Sequence, residues 1–324
     1  MPIVRSKAVR PWDRRSSCRN GTPFNGEYTM VRATLIGFSA ILMWSLLALF
    51  SSLSGAVPPF LLCAFSFAVA TVVGLIATGR SKPGAPGGKV PALAWIVGIG
   101  GLFGYHFFYF SAVRSAPVIE ANLINYLWPL LIVLGSALMP GEGLRWHHIA
   151  GAALGLAGTV LIVSDGGRFA FEAQYLPGYG LGVLAAITWA SYSLISRRFA
   201  AIPTRMVTWY CAAAAVLSLV CHLLLEETVM PANATQWLAV LGMGLMPVGG
   251  AFFVWDYGVK HGNIQVLGAA SYAAPLLSTL LLILFGIGAL TLPIAIACLL
   301  ITGGAVLASK DMIARPRRAA PAAR

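Results

Sequence analysis

Asn125-Tyr126-Leu127-Trp128-Pro129-Leu130-Leu131 returns later in the chain as Ser271-Tyr272-Ala273-Ala274-Pro275-Leu276-Leu277, and both stretches lie inside long apolar runs. A proline there removes a backbone N–H and clashes with the carbonyl four residues upstream, in a setting where no bulk water replaces the lost bond. Pro129 and Pro275 are therefore expected helix breaks that packing or a cavity must repair. Paired interruptions at corresponding places in two halves point to the centre of a transporter.

The repeat extends beyond the motif without gaps. At the same offset of 146, Phe107 and Val113 match Phe253 and Val259, while at 145 Gly37 and Trp44 fall on Gly182 and Trp189. Hydrophobic residues fill 58% of the 324 positions and charged residues only 10%, too few charges to cover a soluble protein of this size. Ten apolar stretches follow, near 33–53, 57–78, 91–113, 117–139, 146–163, 179–195, 206–225, 237–257, 264–285 and 292–308. Each copy thus holds about five, and an odd number turns the second copy over in the bilayer. The expected fold is an all-α membrane protein of ten transmembrane helices, two inverted five-helix repeats around a central cavity. The repeats cover 31–165 and 166–310, between an unstructured basic tail at 1–30 and a second basic tail at 311–324. Gly151 and Gly155 on the fifth stretch, with Gly303 and Gly304 on the tenth, suggest close helix packing.

The net charge of +12 reflects topology. With both termini cytoplasmic, 20 of the 22 Lys and Arg fall on the cytoplasmic side, leaving only Arg114 and Arg168 outside. Nucleic acid is not an expected partner; the lipid bilayer is. Four of the five cysteines sit in apolar stretches and Cys18 in the tail, with no Cys-x-x-Cys, so disulfides and a metal site are not expected. The polar first 30 residues are no signal peptide; they read either as a transit-like segment or as a tail ahead of a start at Met30.

Ala33-Thr34-Leu35-Ile36-Gly37, Asn125-Tyr126-Leu127-Trp128-Pro129 and His261-Gly262-Asn263, together with the repeat, resemble the drug/metabolite transporter superfamily in its EamA-like branch, and within it the bacterial exporters of aromatic amino acids. The resemblance covers about residues 30–310. It implies a basket of helices one to four and six to nine around the cavity, with five and ten flanking, in a bacterial inner membrane. It also implies export of Phe, Tyr and Trp, with other neutral amino acids, and no cofactor. A monomer suffices for that work.

The substrate then needs a ring-sized slot, donors and acceptors for a zwitterion, and an uncharged wall. Trp44, Trp128 and Trp189 lie about 16 Å into their helices, near mid-membrane. Asn122, Asn125, Tyr126 and Pro129 share one helix face, which suits either interhelical hydrogen bonds or substrate. The carbonyls that Pro129 and Pro275 free, those of Asn125 and Ser271, are candidate acceptors for an ammonium group. Tyr105, His106, Tyr109, Tyr192 and Tyr272 complete the expected wall, His106 reading equally as a hydrogen-bonded interior histidine. Glu120 is a candidate for gating or proton coupling, and Asp256 has the spacing of an ordinary ion pair with Lys260. Because the second motif offers Gly268, Ser271 and Ala274 where the first has Asn122, Asn125 and Trp128, helix four is expected to supply chemistry and helix nine room.

Alternating access about a mid-membrane site is the leading mechanism. The alternatives are export of another small metabolite or drug, a membrane scaffold without transport, and an intramembrane enzyme. An enzyme needs a nucleophile with a base or a metal cluster, and the sequence has no Gly-x-Ser-x-Gly, His-Glu-x-x-His or paired intramembrane aspartates.

Overall fold

The computed structural model describes residues 23–78, 89–140, 143–164, 171–284 and 290–313. Most of both basic tails, with Arg80, Lys82, Arg168 and Phe285, lies outside the described residues. Among the described residues all regular structure is helical. Nine helices among the described residues are long and apolar enough to cross a membrane: α1 (Tyr28–Leu53), α2 (Pro59–Ala77), α3 (Ala92–Ser115), α4 (Val118–Leu138), α5 (Trp146–Val163), α6 (Ala173–Arg198), α7 (Thr204–Leu225), α8 (Ala234–His261) and α9 (Ile264–Leu281). A shorter apolar helix, α10 (Leu292–Ala308), follows. Residues 23–30, expected as unstructured tail, instead extend the first helix back to Pro23.

The helices carry leucines and isoleucines on outward faces, such as Leu223, Leu224 and Leu299, all more than two-thirds exposed. In a membrane those faces meet lipid, so apolar burial cannot drive the helices together; close packing and polar contacts do that work. Four pairings dominate: α5 along α10, α2 along α7, α1 along the second half of α8, and the second half of α3 along α6. At the α5–α10 crossing a Cβ on Gly151 would sit 2.5 Å from the Gly304 carbonyl, so only glycine permits this approach. Gly303, expected in the same seam, faces open space instead.

Four helices break at mid-length. Residues 45–46 interrupt α1, 126–127 interrupt α4, 246–249 interrupt α8 and 271–272 interrupt α9. Tight turns recover part of the lost bonding: Leu46 N donates to Met43 O (3.1 Å), Leu127 N to Ile124 O (3.1 Å) and Ala274 N to Ser271 O (3.1 Å). The third of these occupies the Ser271 carbonyl, which therefore is not the free acceptor expected there. In α3 a π-helical turn over Gly100–Gly104 re-aims the helix just before Tyr105.

Candidate functional site

The breaks surround a cavity of about 420 Å³, a size suited to a small molecule. No Lys, Arg, Asp or Glu lines it among the described residues. Its walls come from α1, α2, α3, α4, α6, α8 and α9; α5, α7 and α10 contribute nothing.

The floor is indole: Trp44, Trp128 and Trp189 line it, and the fully buried Trp255 packs against all three, every pair of ring centroids in the four lying within 6.3 Å, from 5.0 Å for Trp44–Trp255 upwards. Trp44 and Trp189, the repeat-related pair, meet edge to face at 5.7 Å. Trp255 was not singled out in the sequence, although the offset of 146 sets it on Tyr109, another aromatic. Its Nε1 donates to Ser193 Oγ (3.0 Å), which in turn donates to Trp189 O (2.9 Å). That chain satisfies the buried indole N–H and locks Trp255 and the floor ring of Trp189 to one turn of α6.

One wall is a polar ladder between α3 and α4. Tyr109 donates to Asn122 Oδ1 (2.8 Å), and one turn deeper Asn125 Nδ2 donates to Tyr105 Oη (3.2 Å). The antiparallel helices match an i, i+4 pair of tyrosines to an i, i+3 pair of asparagines, and the two phenol rings stack with centroids 6.0 Å apart. Asn125 Oδ1 is buried without a hydrogen-bond partner, as is Ser66 Oγ on the facing part of α2. A buried acceptor in that condition costs stability until a donor arrives. His106 lines the same wall, but its Nδ1 is hydrogen-bonded to Leu102 O (2.7 Å), which orients the ring as an interior histidine.

Of the residues singled out in the sequence, Trp44, Tyr105, His106, Tyr109, Asn122, Asn125, Tyr126, Trp128, Trp189 and Pro275 line the cavity. Tyr192, Ser271 and Tyr272 do not. Ser271 is fully buried and its hydroxyl donates to Leu267 O (2.7 Å). Tyr272 packs outward with Ala152 and Ile301, between α5 and α10. Tyr192 lies beneath the floor beside Asp256. Pro129 is buried in α4, and Glu120 is buried near the start of that helix, away from the cavity.

Two clusters were not anticipated. Glu226, its side chain buried just beyond the end of α7, accepts from Phe60 N (3.0 Å), Leu61 N (3.2 Å), Arg114 (2.7 Å) and His222 Nδ1 (2.9 Å). It ties the starts and ends of α2, α3 and α7 at the cavity rim. His147, His148 and Asp311 bring three potential ligand atoms within 4.8 Å of one another. There, however, His148 Nδ1 already accepts from Arg145 N (3.2 Å), and Arg145 holds an Asp311 oxygen (2.8 Å).

The lining runs from the floor towards one membrane side only, the side of the α1–α2 turn at 54–58, where Ser54, Gly55 and Val57 form the rim. On the side of the α6–α7 and α8–α9 connections no described residue lines the cavity, and Ile202, Met206, Val259 and Ile264 are buried.

The EamA-like transporter family matches residues 31–164 and again 176–310. The chain belongs to that family. It is a family of transporters and not of enzymes, and with the apolar helices it makes this a multi-pass bacterial inner-membrane protein. The EamA-like chain is 53% identical to the aromatic amino acid exporter YddG of Ancylobacter novellus, over 86% of its own length and 96% of the relative. It is 25% identical to the protein of the same name from Salmonella typhimurium, over 78% and 88%. A crystal structure of a protein 53% identical superposes with a TM-score of 0.81, covering 86% of this EamA-like chain and 98% of that one.

Proposed function

We propose that this protein exports aromatic amino acids, with other neutral ones, across the bacterial inner membrane by alternating access. The observation that carries the reading is the uncharged indole-floored cavity with an unsatisfied acceptor, Asn125 Oδ1, on its polar wall. The floor offers ring faces and edges to an aromatic side chain. Asn125 Oδ1 and the carbonyl freed by Pro129 accept from the ammonium group, while Tyr105, Tyr109 and Tyr126 offer hydroxyls to the zwitterion. The names of the similar exporters support the same substrate class.

In this reading the ten helices form two inverted five-helix repeats, 31–165 and 166–310, with both termini cytoplasmic. The helix pairings support it. When each helix is exchanged for the one five positions along, α1·α8 becomes α3·α6, and α2·α7 and α5·α10 map onto themselves. A two-fold axis in the membrane plane requires that exchange. The open side then faces the periplasm, and the structure is the releasing state of a carrier that works as a monomer. Counterflow of labelled Phe, Tyr and Trp into proteoliposomes, in competition with a panel of neutral metabolites, tests the substrate class. Uptake driven by an internal aromatic amino acid is expected; uptake driven equally well by unrelated metabolites would refute it.

A further inference from the structure

Beneath the indole floor, on the closed side, the structure holds a charged cluster that neither the cavity nor its proposed substrate uses. Asp256 and Lys260, one turn apart on α8, are almost wholly buried and pair at 2.8 Å. Far from an ordinary surface pair, they bind across helices. Asp256 Oδ2 accepts from Thr204 Oγ1 (2.8 Å) at the start of α7, and Lys260 Nζ donates to Ile202 O (3.0 Å) in the α6–α7 connection. Next to them Arg197, at the end of α6, donates to Val259 O (3.0 Å) and Gly262 O (2.7 Å). The Thr204, Ile202 and Arg197 bonds cross between the α6–α7 segment and the end of α8, whereas the Asp256–Lys260 pair lies within α8.

Ionised groups inside a membrane are costly and persist where they serve a function. Their placement also links them to the cavity. Tyr192 Oη reaches Asp256 Oδ1 (3.5 Å), and the Tyr192 ring lies against Trp189 of the floor, with centroids 5.2 Å apart. Trp189 therefore meets the cavity on one side and Tyr192 on the other.

We propose that Asp256, Lys260, Thr204 and Arg197 form the latch that holds the closed side of the carrier shut, and that Tyr192 couples this latch to the occupied floor. The inference rests on the alternating-access reading. A substrate ring on Trp189 shifts Tyr192, weakens its contact with Asp256 and biases the latch towards release. The latch is made of interactions specific to one state, as a two-state element requires.

Two native cysteines report the two sides. Cys63 lines the cavity, and Cys211 is fully buried near the start of α7 on the closed side. In the full-length protein with Cys18, Cys221 and Cys298 replaced by alanine, maleimide labelling of Cys211 is expected to rise about tenfold in Asp256→Asn/Lys260→Gln, with Cys63 labelling falling; that fold-change is the scale of losing one net charged hydrogen bond. The double substitution avoids stranding one buried charge. Thr204→Val removes a single bond and is expected to move both rates in the same directions by less; it carries the test if the double variant does not fold. Unchanged labelling of both cysteines in folded variants overturns the latch. In the parent protein tryptophan is expected to raise Cys211 labelling, and in Tyr192→Phe to leave it unaltered; a response preserved in Tyr192→Phe overturns the coupling. Tryptophan counterflow by the parent separates the two ideas. Its absence refutes the transport reading, whereas counterflow with unaltered labelling refutes only the latch.

Discussion

The two Tyr-x-x-Pro copies share a sequence and a helix break but have opposite uses. Tyr126 lines the cavity. Tyr272 is fully buried on the far side of α9, and its hydroxyl accepts from Leu130 N (3.2 Å). Leu130 follows Pro129 and stands in the first turn of the helix half that begins after the α4 break, where backbone N–H groups lack partners within the helix. The second copy's tyrosine thus repairs the break made by the first copy's proline. A duplicated motif has divided into one copy that faces the cavity and one that supports the broken helix.

Substituting each tyrosine in turn is the sharpest way to break that comparison. Tyr272→Ala removes a buried ring and a hydrogen bond together, and a loss of about 3–5 kcal/mol is expected from the cavity it leaves. Tyr126→Ala is expected to lower transport with little change in thermal stability. A stability loss of equal size in both, measured by thermal unfolding in detergent, would erase the distinction.

Gly155 tests the same contact from the other helix. A Cβ there would lie 2.5 Å from Tyr272 Cδ2, so Gly155→Val overpacks the α5–α9 contact at a cost of about 1–3 kcal/mol. The combination Gly155→Val/Tyr272→Leu should recover part of that loss. A smaller effect still comes from the hydroxyl alone. Tyr272→Phe strands Leu130 N and is expected to cost about 1 kcal/mol, within the range for a buried unsatisfied donor, whereas Tyr126→Phe should leave the unfolding temperature unmoved.

The sequence carried the duplication, the apolar stretches and the α4 wall, because periodicity and proline chemistry are local. Asn122, Asn125 and Tyr126 share a face in any helix, and that face meets the cavity. What tertiary packing decides was not legible. The break at 45–46 in α1 has no proline to mark it, whereas the break at 246–249 in α8 contains Pro247. Tyr272 is an expected wall residue and the Ser271 carbonyl an expected acceptor, yet neither residue lines the cavity. Asp256 and Lys260 showed their spacing but not their burial, which depends on Thr204 and Ile202 closing over them from another segment. Trp255, close to that pair in sequence, joins the indole cluster only through the fold.

In the proposed function the α3–α4 wall holds an aromatic amino acid above the indole floor. Counterflow of labelled tryptophan into proteoliposomes, comparing the unmodified protein with Asn125→Ala at matched reconstitution and equal thermal stability, tests it most directly. Uptake by the unmodified protein and an initial rate lowered about tenfold or more in the variant, the scale of one lost hydrogen bond to a charged group, is the predicted result. Equal rates in the two proteins would contradict it.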